Sequence, residues 1–433
     1  MKHGKGIFLP LCLAFLLLCG CGERETNENF ALPESAANVT QLNGLLSEEI
    51  EAGYEYCAPT AGAHRQPLQL ADLDGDGEQE VLAFLRNAAT EMCRIRIYKS
   101  VNGSYEPVLA LEGEGSALSA VEHADLNGDG FEELVTAWNC AAELYILYVY
   151  DLEGWGGEVL LTDSCSEFLC FDLSGDGRAD LLEITLTGKD PGVRMFSFPL
   201  PDDSAGLSAS LSRGIAECSR VRGCRLEGNT PGLLVESYLE NGELVSDLFS
   251  LLDGSLYNIT LDQKTGVSRT RRSYAAVGAD IDGDRFLEIP IPFDLYSQHQ
   301  GDHYRYLSWV GFNRYGFSVI KQETYHCNVD GWYLVLPEGW SNNLTVRRDD
   351  TVSGERCVIL SEVDRYTGAI KDRLQIFTLT GENRRERSGV NGRFMLAEDD
   401  TAVYAARILA DCTRAEVEQS FRLIYAEWSP DSL

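Results

Sequence analysis

Residues 71–80 read Ala71-Asp-Leu-Asp-Gly-Asp-Gly-Glu-Gln-Glu80, and the chain carries the same pattern three more times. The copies are Ala124-Asp-Leu-Asn-Gly-Asp-Gly-Phe-Glu-Glu133, Phe171-Asp-Leu-Ser-Gly-Asp-Gly-Arg-Ala-Asp180 and Ala279-Asp-Ile-Asp-Gly-Asp-Arg-Phe-Leu-Glu288. The leading aspartates Asp72, Asp125, Asp172 and Asp280 are 53, 47 and 108 residues apart. A fixed period of about fifty residues marks a repeat architecture, in which each unit buries its faces against its neighbours. The last gap is two periods, so a worn copy should lie near residue 225. Cys224-Arg-Leu-Glu-Gly-Asn-Thr-Pro-Gly-Leu233 is there, keeping the Leu and Gly but with Arg225 and Leu233 where the others carry acids.

Each loop sets side-chain oxygens at relative positions 1, 3, 5 and 9, with Gly at position 6 in three of the four. A hard divalent cation needs this chemistry, because alternate residues of a tight turn aim oxygens inward and Gly allows the sharp bend. The candidate ligands are Asp72, Asp74, Asp76 and Glu80 in the first loop, and Asp125, Asn127, Asp129 and Glu133 in the second. The third offers Asp172, Ser174, Asp176 and Asp180, and the last Asp280, Asp282, Asp284 and Glu288. The position-7 backbone carbonyls of Glu78, Phe131, Arg178 and Phe286 would add one ligand each. So many carboxylates in one turn repel one another unless a cation lies between them. Read as metal-free Asp- and Gly-rich turns, one isolated copy would be unremarkable; several in register are harder to account for. An EF-hand needs Glu at position 12 and a helix after the loop. Position 12 here is Ala83, Thr136, Glu183 and Ile291, and the loops run into Glu80–Leu85, Glu133–Trp138 and Asp180–Thr185, which read as strands.

With these residues the chain resembles the FG-GAP/VCBS family, whose calcium-binding repeats also build the integrin α-subunit propeller. The resemblance covers residues 65–325 and implies three to four structural Ca²⁺ ions on the ligand sets above. The worn fourth copy is expected to be metal-free. The last copy has Arg285 in place of Gly, and a positive φ there would be disfavoured.

The expected fold is mainly β: a β-propeller of five FG-GAP/VCBS-type blades, or six with flanking segments, followed by a small α+β domain. Blades are read at 65–112, 117–163, 167–212, 218–263 and 273–323, each with four short strands. Arg94–Tyr98, a turn at Asn102-Gly103 and Tyr105–Leu111 form one such hairpin. The domain limits are 1–20, 21–55, 56–325 and 326–433, with a short helix over Val39–Ala52. Beyond 325, strands are expected at Trp332–Trp340, Leu344–Arg347, Cys357–Glu362, Leu374–Leu379 and Ala402–Ile408. A capping box at Thr413-Arg-Ala-Glu416 then opens a helix with Val417, Phe421, Ile424 and Trp428 on one face. The strand–Pro–x–x–Trp opening of this domain is loosely similar to PsbP/Mog1-type domains, a likeness that implies no activity.

The N-terminus reads as a lipoprotein signal peptide. Lys2 and Lys5 precede the apolar run Ile7–Leu18, which is too short to span a bilayer. Leu18-Cys19-Gly20-Cys21 resembles the bacterial lipobox, which implies cleavage before Cys21 and lipidation of that cysteine. The expected location is the outer face of the bacterial cytoplasmic membrane, with residues after Cys21 as a tether. Acids outnumber bases 68 to 36, a net charge of −32, which excludes a phosphate-backbone binder as the default. An even number of cysteines follows the signal region, so disulfides are permitted, but no CxxC pair suggests a structural zinc.

No GxSxG, HExxH or Walker A motif occurs. His64, His123, His299, His303 and His326 are scattered. The expected function is therefore a non-catalytic, calcium-binding surface lipoprotein with a protein or glycan ligand. The enzymatic alternative is a polysaccharide lyase, since some rhamnogalacturonan lyases are built on calcium-binding propellers. Such a site would need a basic cleft to stabilise the charge developing on its substrate, and the repeats carry few Lys and Arg.

Overall fold

The computed structural model describes residues 36–424 apart from 114–116, 142–143, 187–190, 202–204 and 298–302, and side chains from 40 onward. The signal peptide, Cys21, His299 and Trp428 lie outside the described residues, as does the side chain of Cys140. Among the described residues no helix is long and apolar enough to cross a membrane.

The chain opens with helix α1 (Ala36–Glu51) and then forms successive antiparallel sheets. The first holds β1 (Tyr54–Tyr56), β2 (Leu68–Ala71), β3 (Glu80–Asn87), β4 (Cys93–Val101) and β5 (Ser104–Glu112). The second is the meander β6 (Leu118–Ala124), β7 (Glu133–Ala141), β8 (Leu144–Asp151) and β9 (Glu158–Cys165). The third is β10 (Glu167–Phe171), β11 (Asp180–Thr185), β12 (Gly192–Phe196) and β13 (Leu207–Ser210). The fourth is β14 (Ile215–Leu226), β15 (Thr230–Leu239), β16 (Leu244–Leu252) and β17 (Ser255–Asn258). A small hairpin, β18 (Leu261–Asp262) and β19 (Val267–Ser268), leads to the fifth sheet. That sheet runs β20 (Glu288–Asp294), β21 (Arg305–Phe312), β22 (Ser318–Cys327) and β23 (Trp332–Val335). The sixth comprises β24 (Leu344–Asp349), β25 (Glu355–Val363), β26 (Ile370–Thr380), β27 (Phe394–Glu398) and β28 (Ala402–Ile408). Finally β29 (Phe421–Leu423) returns to pair with β23.

The strands that follow the first and third Asp-rich loops, β3 and β11, are buried on both faces along most of their length. The cause is sheet stacking. Leu82, Phe84 and Ile95 of the first sheet pack on Leu134 and Trp138 of the second. Val135 and Leu147 turn the other way, onto Leu181 and Phe196 of the third. Leu182 and Ile184 then meet Leu233 and Val235 of the fourth, and Leu234 and Leu248 meet Ile289 and Phe312 of the fifth. Trp332 and Leu334 share a core with Val358, Leu360 and Ile376 of the sixth. Among the described residues no apolar cluster joins the sixth sheet to the first, and α1 covers the free face of the first through Leu42 and Leu46. The molecule is thus a mainly β stack of antiparallel sheets, and a closed ring is not shown.

Three expectations need correction. The segment expected as tether up to residue 55 is part of the fold from residue 36. Its helix buries Leu42 against Val81 and Tyr98, and the Gln41 side chain makes two hydrogen bonds to the Tyr105 backbone (2.9 and 3.1 Å). The boundary expected at 325 lies inside the fifth sheet, where Thr324–Cys327 pair with Trp332–Val335. The helix after Thr413 does form its capping box, but α2 (Arg414–Ser420) stops before Phe421. Phe421–Leu423 instead satisfy the open edge of β23. An edge strand with unpaired amides outweighs continued helix propensity.

Candidate metal loops

The first three Asp-rich loops connect β2 to β3, β6 to β7 and β10 to β11, the last leads into β20 from an isolated bridge between Ala279 and Glu288, and the backbone folds each in the same way. The last carboxylate accepts the amide of the residue after the leading Asp: Leu73 donates to Glu80 (2.8 Å), Leu126 to Glu133 (2.7 Å), Leu173 to Asp180 (2.9 Å) and Ile281 to Glu288 (3.0 Å). The leading Asp accepts from position 6, so Gly77, Gly130, Gly177 and Arg285 donate to Asp72, Asp125, Asp172 and Asp280 at 2.9–3.2 Å. The position-5 Asp accepts from position 7: Glu78, Phe131, Arg178 and Phe286 donate to Asp76, Asp129, Asp176 and Asp284 at 2.8–2.9 Å. Position 6 has positive φ in every copy. Arg285 adopts +75° where the others have Gly at +87° to +94°. The expected penalty at Arg285 is therefore borne, and the loop keeps its shape.

Neighbouring loops touch. Glu132 N donates to Leu73 O (2.7 Å), and a Cβ on Gly75 would lie 2.7 Å from Gly130 O. Arg178 reaches from the third loop to Asn127 O of the second (3.1 Å), and Leu287 N donates to Arg225 O of the worn copy (2.8 Å). Sheet stacking therefore gathers the loops side by side at one end of the stack.

The loops differ in what they gather. In the first, Asp72, Asp74 and Glu80 bring oxygens within 4.8 Å of one another, and in the last Asp280, Asp282 and Glu288 do so. These clusters could hold a metal ion. Glu80 and Glu288 are fully buried, and Glu80 Oε1, Glu288 Oε1, Asp72 Oδ1 and Asp74 Oδ1 have no hydrogen-bond partner among the described residues. Burial pushes the Glu80 carboxyl up to about 7 and that of Glu288 to about 8, and the neighbouring aspartates add to both shifts. Oxygen-only donors with buried, unpartnered carboxylate atoms fit a hard divalent cation.

The second and third loops fall short of the expected sets. In the second, the Asn127 amide donates to Asp129 (2.9 Å) and Glu133 (2.8 Å), and Asp129 gathers with Asp151 and Glu153 rather than with Asp125. Burial raises Glu133 to about 7. In the third, the carboxylates are served from within: Ser197 donates to Asp180 (2.5 Å), Ser174 Oγ to Asp172 (3.4 Å) and Arg178 to Asp176 (3.0 Å). Asp172, Asp176 and Asp180 are not drawn together.

Three participants escaped the sequence reading. Lys99 of β4 reaches the first loop, where its ammonium contacts Asp74, lies 2.7 Å from Asp76 and sits 3.9 Å from Glu80. Lys321 of β22 does the same in the last loop, 2.5 Å from Asp284 and 3.9 Å from Asp282. Glu227 belongs to the worn copy, which has shrunk to a turn between β14 and β15. Its carboxylate lies 2.9 Å from Lys321 and gathers with Asp284 and Glu288. The worn copy thus lends a carboxylate to its neighbour. The spacing of the repeats carries no signal for either lysine, because each comes from a strand outside the motif. Of the histidines, His123 lies beside the second loop with Nδ1 2.5 Å from Glu132, and its ring is 5.1 Å from that of His64.

No family model and no curated protein matches the chain. Among solved structures, it is similar to rhamnogalacturonan lyase YesW, with 16% identity and a TM-score of 0.26 over 76% of this chain. It spans 56% of that lyase's length. The rhamnogalacturonan lyase PL11 of Bacillus licheniformis matches at 11% identity and a TM-score of 0.29, covering 81% of this chain and 91% of the lyase. BBS1N, solved in complex with ARL6DN, matches at 11% identity and a TM-score of 0.26, covering 83% of this chain and 97% of its own. Likenesses this weak fix neither an activity nor a ligand.

Proposed function

We propose that this protein is a calcium-stabilised binding module of the FG-GAP/VCBS type, its stacked sheets being propeller-like blades. It would be held outside the cytoplasmic membrane by a lipid on Cys21 and would bind a protein or glycan. The observation that carries the metal reading is the pair of fully buried glutamates, Glu80 and Glu288, each with an unpartnered oxygen facing aspartates of its own loop. In the first loop Asp72, Asp74, Asp76 and Glu80 would hold the ion. In the last, Asp280, Asp282, Asp284 and Glu288 would do so, joined by Glu227. Ca²⁺ suits these donors because it accepts many oxygens at flexible geometry, and loops of about 10⁻⁴–10⁻³ M affinity fill at extracellular calcium concentrations. The ion's role is architectural: it neutralises carboxylates at the end of the stack where the loops touch.

The test is a calcium titration of residues 22–433 followed by calorimetry and metal analysis. Binding of three to four ions with a raised melting temperature supports the reading. Two ions, lost on Asp72→Ala and Asp280→Ala, would restrict it to the first and last loops. No uptake at millimolar Ca²⁺ would refute it.

A further inference from the structure

Cys57 and Cys93 meet at the junction of the first two sheets, with Sγ atoms 3.8 Å apart. They come from segments 36 residues apart in sequence. Cys57 follows β1, and its amide donates to Phe84 O (2.9 Å), which fixes the chain just where it leaves the sheet. Cys93 opens β4 and is buried, paired in register with Arg86 of β3. Both side chains belong to the apolar cluster between the two sheets. β1 is held to β3 by three residue pairs, and Ala61 N beyond Cys57 donates to Ser119 O of the second sheet (2.7 Å), so the chain is held on both sides of Cys57 and its thiol is kept beside that of Cys93.

We infer that Cys57 and Cys93 form a disulfide that fastens the N-terminal segment to the first sheet. The partly exposed Cys57 is the attacking group. The contact with the Cys93 thiol, helped by the nearby Arg86 guanidinium, holds the Cys57 thiol below its ordinary range. Burial pushes the thiols of Cys218, Cys224, Cys327 and Cys357 up to about 12, so these stay protonated. The thiolate is the nucleophile in exchange. The oxidant is a low-molecular-weight disulfide. The Cys57 thiolate attacks one of its sulfurs, a mixed disulfide forms and one small thiolate leaves. Cys93 then gives up its proton and attacks Cys57 Sγ, the second small thiolate leaves, and the protein disulfide is made. Two protein thiols are oxidised and one small disulfide is reduced to two thiols.

The experiment exposes the reduced, folded protein to oxidised glutathione, alkylates the remaining thiols after denaturation and maps the peptides without reduction. One cross-linked peptide pair joining residues 57 and 93 is expected, together with a loss of two titratable thiols per chain. The thermal midpoint should exceed that of the reduced protein, because a cross-link restricts the unfolded chain. Cys93→Ser should stop at a glutathione adduct on Cys57, and Cys57→Ser should leave Cys93 alkylated. Alkylation of both cysteines in the wild-type protein would overturn the inference. So would Cys57 remaining as the glutathione adduct in the presence of Cys93, or pairing of either with another cysteine.

Discussion

Lys99→Met tests whether the ammonium in the first loop stands where a metal would go. The ammonium lies 5.7 Å from the centre of the Trp155 ring, and methionine keeps an unbranched apolar side chain there while removing the charge. Without metal, the wild-type ammonium donates to Asp74 and Asp76 and stands 3.9 Å from Glu80 without a hydrogen bond. Asp76 is 42% exposed and Asp74 only 7%, so one contact is screened and the other is not. Allowing about 0.2–1 kcal/mol for each partly screened pair, the variant should lose roughly 1–2 kcal/mol in chelator. Calcium entering the wild-type loop must first displace the ammonium at a similar cost. Since about 1.4 kcal/mol is tenfold in affinity, removing the lysine should tighten that site about five- to thirtyfold. At 1 mM Ca²⁺ and a Kd of about 10⁻⁴ M, the refilled loop returns ~1.4 kcal/mol. Calorimetry should therefore show one site tightened. Thermal unfolding should show a larger calcium-dependent gain for the variant than for the wild type. An equal loss with and without calcium, with unchanged affinities, would show that ammonium and metal do not share the cradle.

Other outcomes follow from the same geometry. Burial raises Glu80 and Glu133 to about 7 and Glu288 to about 8, whereas in the unfolded chain they titrate near 4.3. As pH climbs from about 4.3 to 8 the unfolded state sheds these protons first, so the metal-free protein loses stability over that window. A bound cation favours the charged form, so the melting-temperature gain from calcium should grow between pH 5 and pH 8; a gain independent of pH would contradict this. Arg285→Gly should stabilise the protein by about 1 kcal/mol in denaturant melts, because a side chain at φ +75° is strained. Trp138→Ala should cost about 3–5 kcal/mol, since its ring is 1% exposed between the first two sheets and its indole N–H donates to Thr136 (2.9 Å).

The loops were legible because their chemistry is local. The aspartates at positions 5 and 1 accept amides two and five residues further along the chain, and glycine supplies the positive φ, so ten residues suffice to specify the turn. Periodicity placed the meanders, since strands that return on themselves every few residues need only alternating patterns and turn residues. The Asn102-Gly103 hairpin shows this, with both residues at positive φ. Where the chain leaves the pattern, local signals misled. The capping box at Thr413 forms, but the helix it opens ends where Phe421 finds a sheet edge, and that edge belongs to Trp332, far away in sequence.

What the sequence determined by itself is the set of oxygen-rich turns, their order and the strands that follow them. Only the tertiary structure decided which cation-like groups enter those turns and which carboxylates collect. Lys99 and Lys321 arrive on strands outside the motif, Glu227 crosses from the worn copy, and Cys57 meets Cys93 through the pairing of β1 with β3. The reason is physical. A turn is held by hydrogen bonds within ten residues, whereas charge compensation in a buried loop depends on whatever the stacking of apolar sheet faces carries into reach.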